Sequence, residues 1–203
     1  MSVLPTDLHA LLGSAASDER IAKFVGHAEP DSIKVYSDVT FYNYTDIGIS
    51  LQYKPTSQYK PNRGSNVKRA DLQEDLLNLS SIDIYSDKFR GFPITITHPT
   101  PPTVNADGST SDKDDSGSSS TTELQKDTTG EDLVKNLGEP DRKGGGESKS
   151  VGVWLEWTGL GLMCEFSSMH GAGRWDKTNG AGGAPVSIWT FFEPGQILGQ
   201  DTE

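Results

Sequence analysis

Phe41-Tyr-Asn-Tyr-Thr-Asp-Ile-Gly-Ile-Ser-Leu-Gln-Tyr53 lies over Trp154-Leu-Glu-Trp-Thr-Gly-Leu-Gly-Leu-Met-Cys-Glu-Phe166 without a gap. Tyr44 answers Trp157, Thr45 answers Thr158, Ile47-Gly48-Ile49 answers Leu160-Gly161-Leu162, and Tyr53 answers Phe166. Within each copy the apolar residues recur at every second position. Ile47, Ile49, Leu51 and Tyr53 therefore share one face of a strand, as do Leu160, Leu162, Cys164 and Phe166. Tyr42 and Tyr44, or Leu155 and Trp157, occupy the matching face of the strand before. Thr45-Asp46 and Thr158-Gly159 sit where a tight turn belongs, so each segment reads as a half-buried antiparallel hairpin.

The flanks repeat in the same order. Upstream, Arg20-Ile-Ala-Lys-Phe-Val-Gly-His-Ala-Glu-Pro-Asp31 resembles Asp132-Leu-Val-Lys-Asn-Leu-Gly-Glu-Pro-Asp141; downstream, Ser81-Ile82 recurs as Ser187-Ile188. Three ordered matches imply an internal duplication of one supersecondary unit. Each upstream segment has the marks of a helix. Thr129 caps one, Glu131 and Asp132 fill its first turn, Leu133, Val134 and Leu137 form its stripe, and Gly138 with Pro140 stops it. Ser17 caps the other, with Ile21, Phe24 and Val25 as its stripe and Gly26 as its stop. A further short helix is expected over residues 7–12, and third strands over Ile82 to Tyr85 and Val186 to Phe192. The expected fold class is α+β, two tandem repeats of a helix followed by a three-stranded antiparallel meander. The repeats occupy residues 1–99 and 128–203, with an acidic Ser/Asp-rich linker over 100–127 that has too few apolar side chains to fold.

Leu-Gly-Glu-Pro-Asp, closing a helix ahead of a meander, is similar to the small SmpA/BamE-like α+β domains, and in tandem the layout resembles the duplicated β-lactamase inhibitor proteins. That resemblance implies an architecture whose members bind other proteins through an open sheet face. It carries neither membrane-assembly nor β-lactamase-inhibitor activity over to this chain.

Charge and composition exclude several classes. Eighteen Lys and Arg against 29 Asp and Glu give a net charge of −11, which opposes binding to a nucleic-acid backbone or an anionic membrane. No apolar run reaches the roughly 20 residues of a membrane span. The N-terminal residues lack the pattern of a signal peptide, and the single cysteine suits a reducing compartment, so a cytoplasmic location is expected. Cys164, flanked on its strand face by Leu162 and Phe166, reads as a small buried apolar side chain rather than a nucleophile. His9, His27, His98 and His170 show no zinc-ligand spacing, and neither metal nor cofactor is expected. The basic stretch from Lys54 to Arg69 reads as a solvated loop balancing an acidic surface. Arg142 to Lys149 has glycines after a helix rather than before one, which is the wrong order for a phosphate loop.

Two candidate sites remain. A weak catalytic cluster, His170, Arg174 and Asp176, sits in the Gly-rich 167–184 loop and would serve a hydrolase. The stronger candidate is a binding surface. If Leu155, Leu160, Leu162 and Ile188 face the helix, then Trp154, Glu156, Met163, Glu165, Trp189 and Phe191 face away, with Trp175 able to fold over their edge. Aromatic residues and Met on an uncovered sheet face are the types found at interface cores. The function expected is therefore a non-catalytic protein-interaction module, an inhibitor or neutralising partner of a basic protein. The alternatives are the hydrolase, or a small-ligand carrier if two sheets enclose a cavity.

Overall fold

The computed structural model describes residues 8–99, 119–145, 152–166 and 182–198. Its strands are β1 (Ser32–Val35), β2 (Thr40–Tyr44), β3 (Ile49–Pro55), β4 (Gly64–Ser65), β5 (Leu77–Tyr85), β6 (Ile94–Pro99), β7 (Ser119–Leu124), β8 (Arg142–Gly144), β9 (Trp154–Trp157), β10 (Leu162–Phe166) and β11 (Val186–Phe192). Two α-helices, α1 (Glu19–Phe24) and α2 (Gly130–Leu137), and four short 3-10 turns accompany them. Nine strands make one sheet in the order β4-β1-β2-β3-β5-β11-β10-β9-β8, while β6 and β7 form a separate pair. All pairings are antiparallel.

Period-two patterning sets which face is buried. Tyr42, Tyr44, Ile49, Leu51, Tyr53, Ile82, Ile84, Trp189, Phe191, Leu162, Cys164, Phe166, Leu155 and Trp157 are all nearly or wholly shielded from solvent. The register places them in rows on one face: Leu51 opposite Ile82, Ile82 opposite Phe191, Phe191 opposite Leu162, Leu162 opposite Trp157. Ile21 and Phe24 of α1 and Leu133 and Leu137 of α2 join the same continuous core, as do Ile94, Ile96 and Leu124 from the β6–β7 pair. The Trp157 indole N–H donates to the Gly138 carbonyl at 3.1 Å, which pins the end of α2 over this face. Asp18 caps α1 through the Arg20 amide. Thr129 and Asp132 cap α2 reciprocally, with both carboxylates of that first turn at the favourable end of the dipole.

These observations correct the helix-and-meander expectation. The chain is mostly β, with 40% strand and 18% helix over the described residues. The helices run only six and eight residues, too short to cover a sheet as a layer. Five strands lie outside that expectation: β1, β4 and β8 are only two to four residues long, β7 carries a single apolar side chain, and β6 alternates but was missed. A single sheet crosses the molecule through the β5–β11 pairing. The segment set aside as linker also changes: β7 lies inside 100–127, pairs with β6 across the expected boundaries, and buries Leu124 completely. Residues 100–118 lie outside the described residues. Arg142 to Gly144, within the glycine stretch that fails as a phosphate loop, forms the edge strand β8.

Candidate functional site

The helices, the β6–β7 pair and the 3-10 turn at Leu8–Leu11 crowd the core face, whereas the opposite face carries a cleft of about 410 Å³ near the middle of the sheet. Its floor comes from adjacent strands: Gln52 on β3, Ser81 and Asp83 on β5, Thr190 and Phe192 on β11, and Glu165 on β10. Asp38 from the β1–β2 turn and Gln196 to Leu198 after β11 form walls. The turn after β11 is held by the Gly195 amide donating to the Thr158 carbonyl at 2.9 Å.

Two cross-strand rows organise this face. One runs Ser50–Asp83–Thr190–Met163–Glu156–Arg142, each residue directly opposite the next. The other runs Tyr85–Ile188–Glu165–Trp154–Gly144. With strands about 4.8 Å apart, Tyr85 and Trp154 stand about 14 Å apart with Ile188 and Glu165 between them. Tyr85 is exposed, and Ile188, Glu165, Trp154 and Met163 are half-buried. This gives an amphipathic stripe beside a carboxylate cleft.

The carboxylates differ in what surrounds them. Asp83 sits at the cleft floor, where its carboxyl is pushed up to about 6: burial raises it, the 2.8 Å hydrogen bond from the Thr190 hydroxyl works against that rise, and the charge of Glu165 adds a smaller push upward. Burial also raises Glu165. Glu156 is spent on structure. It is 1% exposed, takes two hydrogen bonds from Arg142 at 2.9 and 3.1 Å, and accepts a third from the Thr158 hydroxyl. The same Arg142 guanidinium lies 5.6 Å from the centre of the Trp154 ring. Gly144 makes room for that ring, since a Cβ there would meet Trp154 Cζ2 at 2.6 Å. Trp154 is thus held flat against β8 and presents a fixed surface.

Of the seven binding residues expected from sequence, Trp154, Met163 and Glu165 lie half-buried on the open face. Glu156 shares that face but is closed off under Arg142 rather than free as a polar guide. Trp189 and Phe191 are corrected outright: both are 0% exposed in the core. The Trp189 indole N–H donates to the Ser86 hydroxyl at 2.9 Å, and the ring of His9 meets Phe191 edge-on at 5.6 Å. The error is one residue of phase in β11, which sends every side chain to the other face. Ile188, expected under the helix, is consequently on the open side. Trp175 and the cluster His170, Arg174 and Asp176 lie outside the described residues. Asp83, Thr190, Tyr85 and Ile188 were missed. Their signal was Asp83 itself, an acid inside the run Ser81-Ile-Asp-Ile-Tyr85, which marks the polar side of a central strand.

Cys164 is fully buried, and desolvation pushes its thiol well above the ordinary range, leaving it inert as a nucleophile. Among the described residues no group of three or more His, Cys, Asp or Glu could hold a metal ion, and no helix is long and apolar enough to cross a membrane. Comparison with protein-family models, curated proteins and solved structures returns no match.

Proposed function

We propose that this chain is a non-catalytic binding module that receives a basic segment of a partner protein on its open sheet face. The observation that carries the proposal is the pairing of a desolvated carboxylate, Asp83, with Glu165 in a cleft bordered by Tyr85, Ile188, Met163 and Trp154. A lysine or arginine entering the cleft neutralises charges that the fold holds at a disadvantage. At about 4 Å and an effective dielectric of about 20, one such contact gains on the order of 4 kcal/mol before desolvation is counted. The apolar stripe supplies area, with Trp154 as anchor, and the net charge of −11 steers the encounter. Among the described residues the cleft lining includes three carboxylates and one lysine, with neither histidine nor cysteine, which suits cation capture better than acid–base or nucleophilic chemistry. We place the module in the cytoplasm, where its one thiol stays reduced.

The test is affinity capture from the native cell with the full chain and with Trp154→Ala, Ile188→Asp and Glu165→Gln as parallel baits. The proposal expects a basic protein that is held in low salt and released by about 0.5 M salt. It also expects that protein to be lost from each variant bait while the variants keep their melting temperature. Equal recovery on all four baits would overturn it.

A further inference from the structure

A second cavity, of about 490 Å³, opens on the helix-covered side of the sheet, where α1 ends. Its walls are Phe24 and Val25 from α1 and its cap, Ile47 from the β2–β3 turn, Ile49 from the start of β3, and Phe89 from the turn after β5. Phe24, Val25, Ile49 and Phe89 are otherwise buried core residues, so the cavity is a gap in the core's edge rather than a surface dimple. Its volume falls within the roughly 300–1,000 Å³ of small-molecule sites.

The rim has the opposite charge to the rest of the molecule. Lys23, Lys88 and Arg90 line the mouth, and Asp46 is the one carboxylate among the lining residues. In a chain with 29 acidic and 18 basic residues, three cations around one apolar opening run against composition. Lys23 is only loosely committed: its ammonium stands 3.9 Å from Glu19, and both side chains are about two-thirds exposed. Lys88 also lies within electrostatic reach of Asp31.

The walls are fixed before any ligand arrives. The Tyr85 amide donates to the Gly48 carbonyl at 2.9 Å, and the Lys88 and Phe89 amides both close on the Tyr85 carbonyl. Gly48 has φ +70°, and a Cβ there would meet the Phe89 nitrogen at 2.8 Å. The two turns are therefore seated backbone against backbone, and Phe92 braces Phe89 edge-on at 5.2 Å.

We infer that this cavity is a binding site for a small amphipathic carboxylate, an alkyl or aryl acid whose apolar body lies on Phe24, Ile47, Ile49 and Phe89 while Lys88 and Arg90 hold its head group. Arginine suits a planar carboxylate through paired N–H donors, and lysine adds a point charge. Each methylene placed on the apolar wall contributes about fourfold in affinity. The site is independent of the open face and stands whether or not that face binds a protein.

The test uses methyl NMR on the isoleucine-labelled full chain, titrated with sodium decanoate, with 1-decanol, and with decyltrimethylammonium bromide. Saturable shifts are expected at Ile47 and Ile49 with decanoate, with at least tenfold weaker binding of the neutral and cationic chains. Hexanoate should bind more weakly than decanoate at the same methyls. The double variant Lys88→Gln/Arg90→Gln, changed only at exposed side chains, should keep its melting temperature and lose the preference for decanoate. Unmoved Ile47 and Ile49 methyls, equal affinity for all three head groups, or an unchanged preference in the double variant would each overturn the assignment.

Discussion

The β2–β3 and β9–β10 hairpins keep one register and bury different chemistry. Tyr44 faces Ile49 across the first turn as Trp157 faces Leu162 across the second, and Tyr42 faces Leu51 as Leu155 faces Cys164. In the first hairpin the aromatic positions are tyrosines whose hydroxyls enter or approach a polar cluster. Tyr42 donates to Glu74 at 2.9 Å, and Arg69 pairs with the same carboxylate at 2.8 Å. Burial pushes the Tyr44 hydroxyl up to about 12 and raises Tyr42 and Tyr53 further. In the second hairpin the corresponding residues are Leu155, Trp157 and Phe166, and the core there is drier.

The open faces diverge the other way. Beyond β5 toward β1 the upper row continues as Ser50, Asn43 and Ser32, small neutral side chains that hydrogen-bond one another. Toward β8 it holds Thr190, Met163, Glu156 and Arg142, with Trp154 and Glu165 in the row beside it. Pattern spacing decides where side chains point, and residue chemistry decides which half carries the charged and aromatic surface.

The largest expected effect separates tryptophans by face. Trp189→Ala should cost about 3–5 kcal/mol of stability, because it empties a sealed site and strands the Ser86 hydroxyl. That corresponds to a fall in melting temperature on the order of 10 °C. Trp154→Ala, which removes a half-buried ring from the open face, should cost far less in the same thermal melt. Comparable losses would erase the distinction between the faces.

A smaller effect tests the cleft. Asp83 titrates near 6 in the fold against roughly 3.9 in an unfolded chain, so the folded state holds its proton more tightly. The resulting stabilisation is complete below about pH 4 and is lost as pH rises through about 6. Relative to the native chain, Asp83→Asn should therefore gain up to about 3 kcal/mol at pH 8 and nothing at pH 4, measured by denaturant unfolding at both values. A variant that loses stability at pH 8 would show that the carboxylate is satisfied by the fold rather than held for a cation.

Finer still is the contrast within the tyrosine core. Tyr42→Phe removes a hydrogen bond to a charged acceptor and should cost about 1.5–3 kcal/mol. The Tyr53 hydroxyl is buried with no partner among the described residues, so Tyr53→Phe should be neutral or stabilising by about 1 kcal/mol. Equal losses from both would mean that the two hydroxyls share one network.

The hairpins could be read from the sequence because alternation over Ile49, Leu51 and Tyr53, or over Leu162, Cys164 and Phe166, fixes a strand's buried face without tertiary information. The fold class could not. Short edge strands such as Arg142–Gly144 exist only because a neighbour offers hydrogen bonds, and a Ser/Thr-rich strand such as Ser119–Leu124 carries one apolar side chain, at its end. On the open face, Trp154, Met163 and Glu165 were legible from strand phase alone. Phase failed in β11, where Trp189-Thr-Phe191-Phe192 is aromatic on both faces and offers no contrast to read. The register that settles it comes from pairing with β5 and β10, with an irregularity between Glu165 and Phe166 adding a further shift. Asp83 could be seen as an acid within a strand, but its desolvation depends on β11 and on residues 196–198 arriving from far along the chain.

Hydroxyl-radical footprinting of the free chain, repeated with the captured partner bound, tests the central claim most directly. The account predicts that Trp154 and Met163 are oxidised in the free chain while Trp157 and Trp189 are spared. It further predicts that the partner protects Trp154, Met163 and Tyr85 but leaves Tyr36 and Phe41, on the other half, as reactive as before. Protection of Trp154 in the free chain, or partner protection falling on Tyr36 and Phe41 instead, would contradict it.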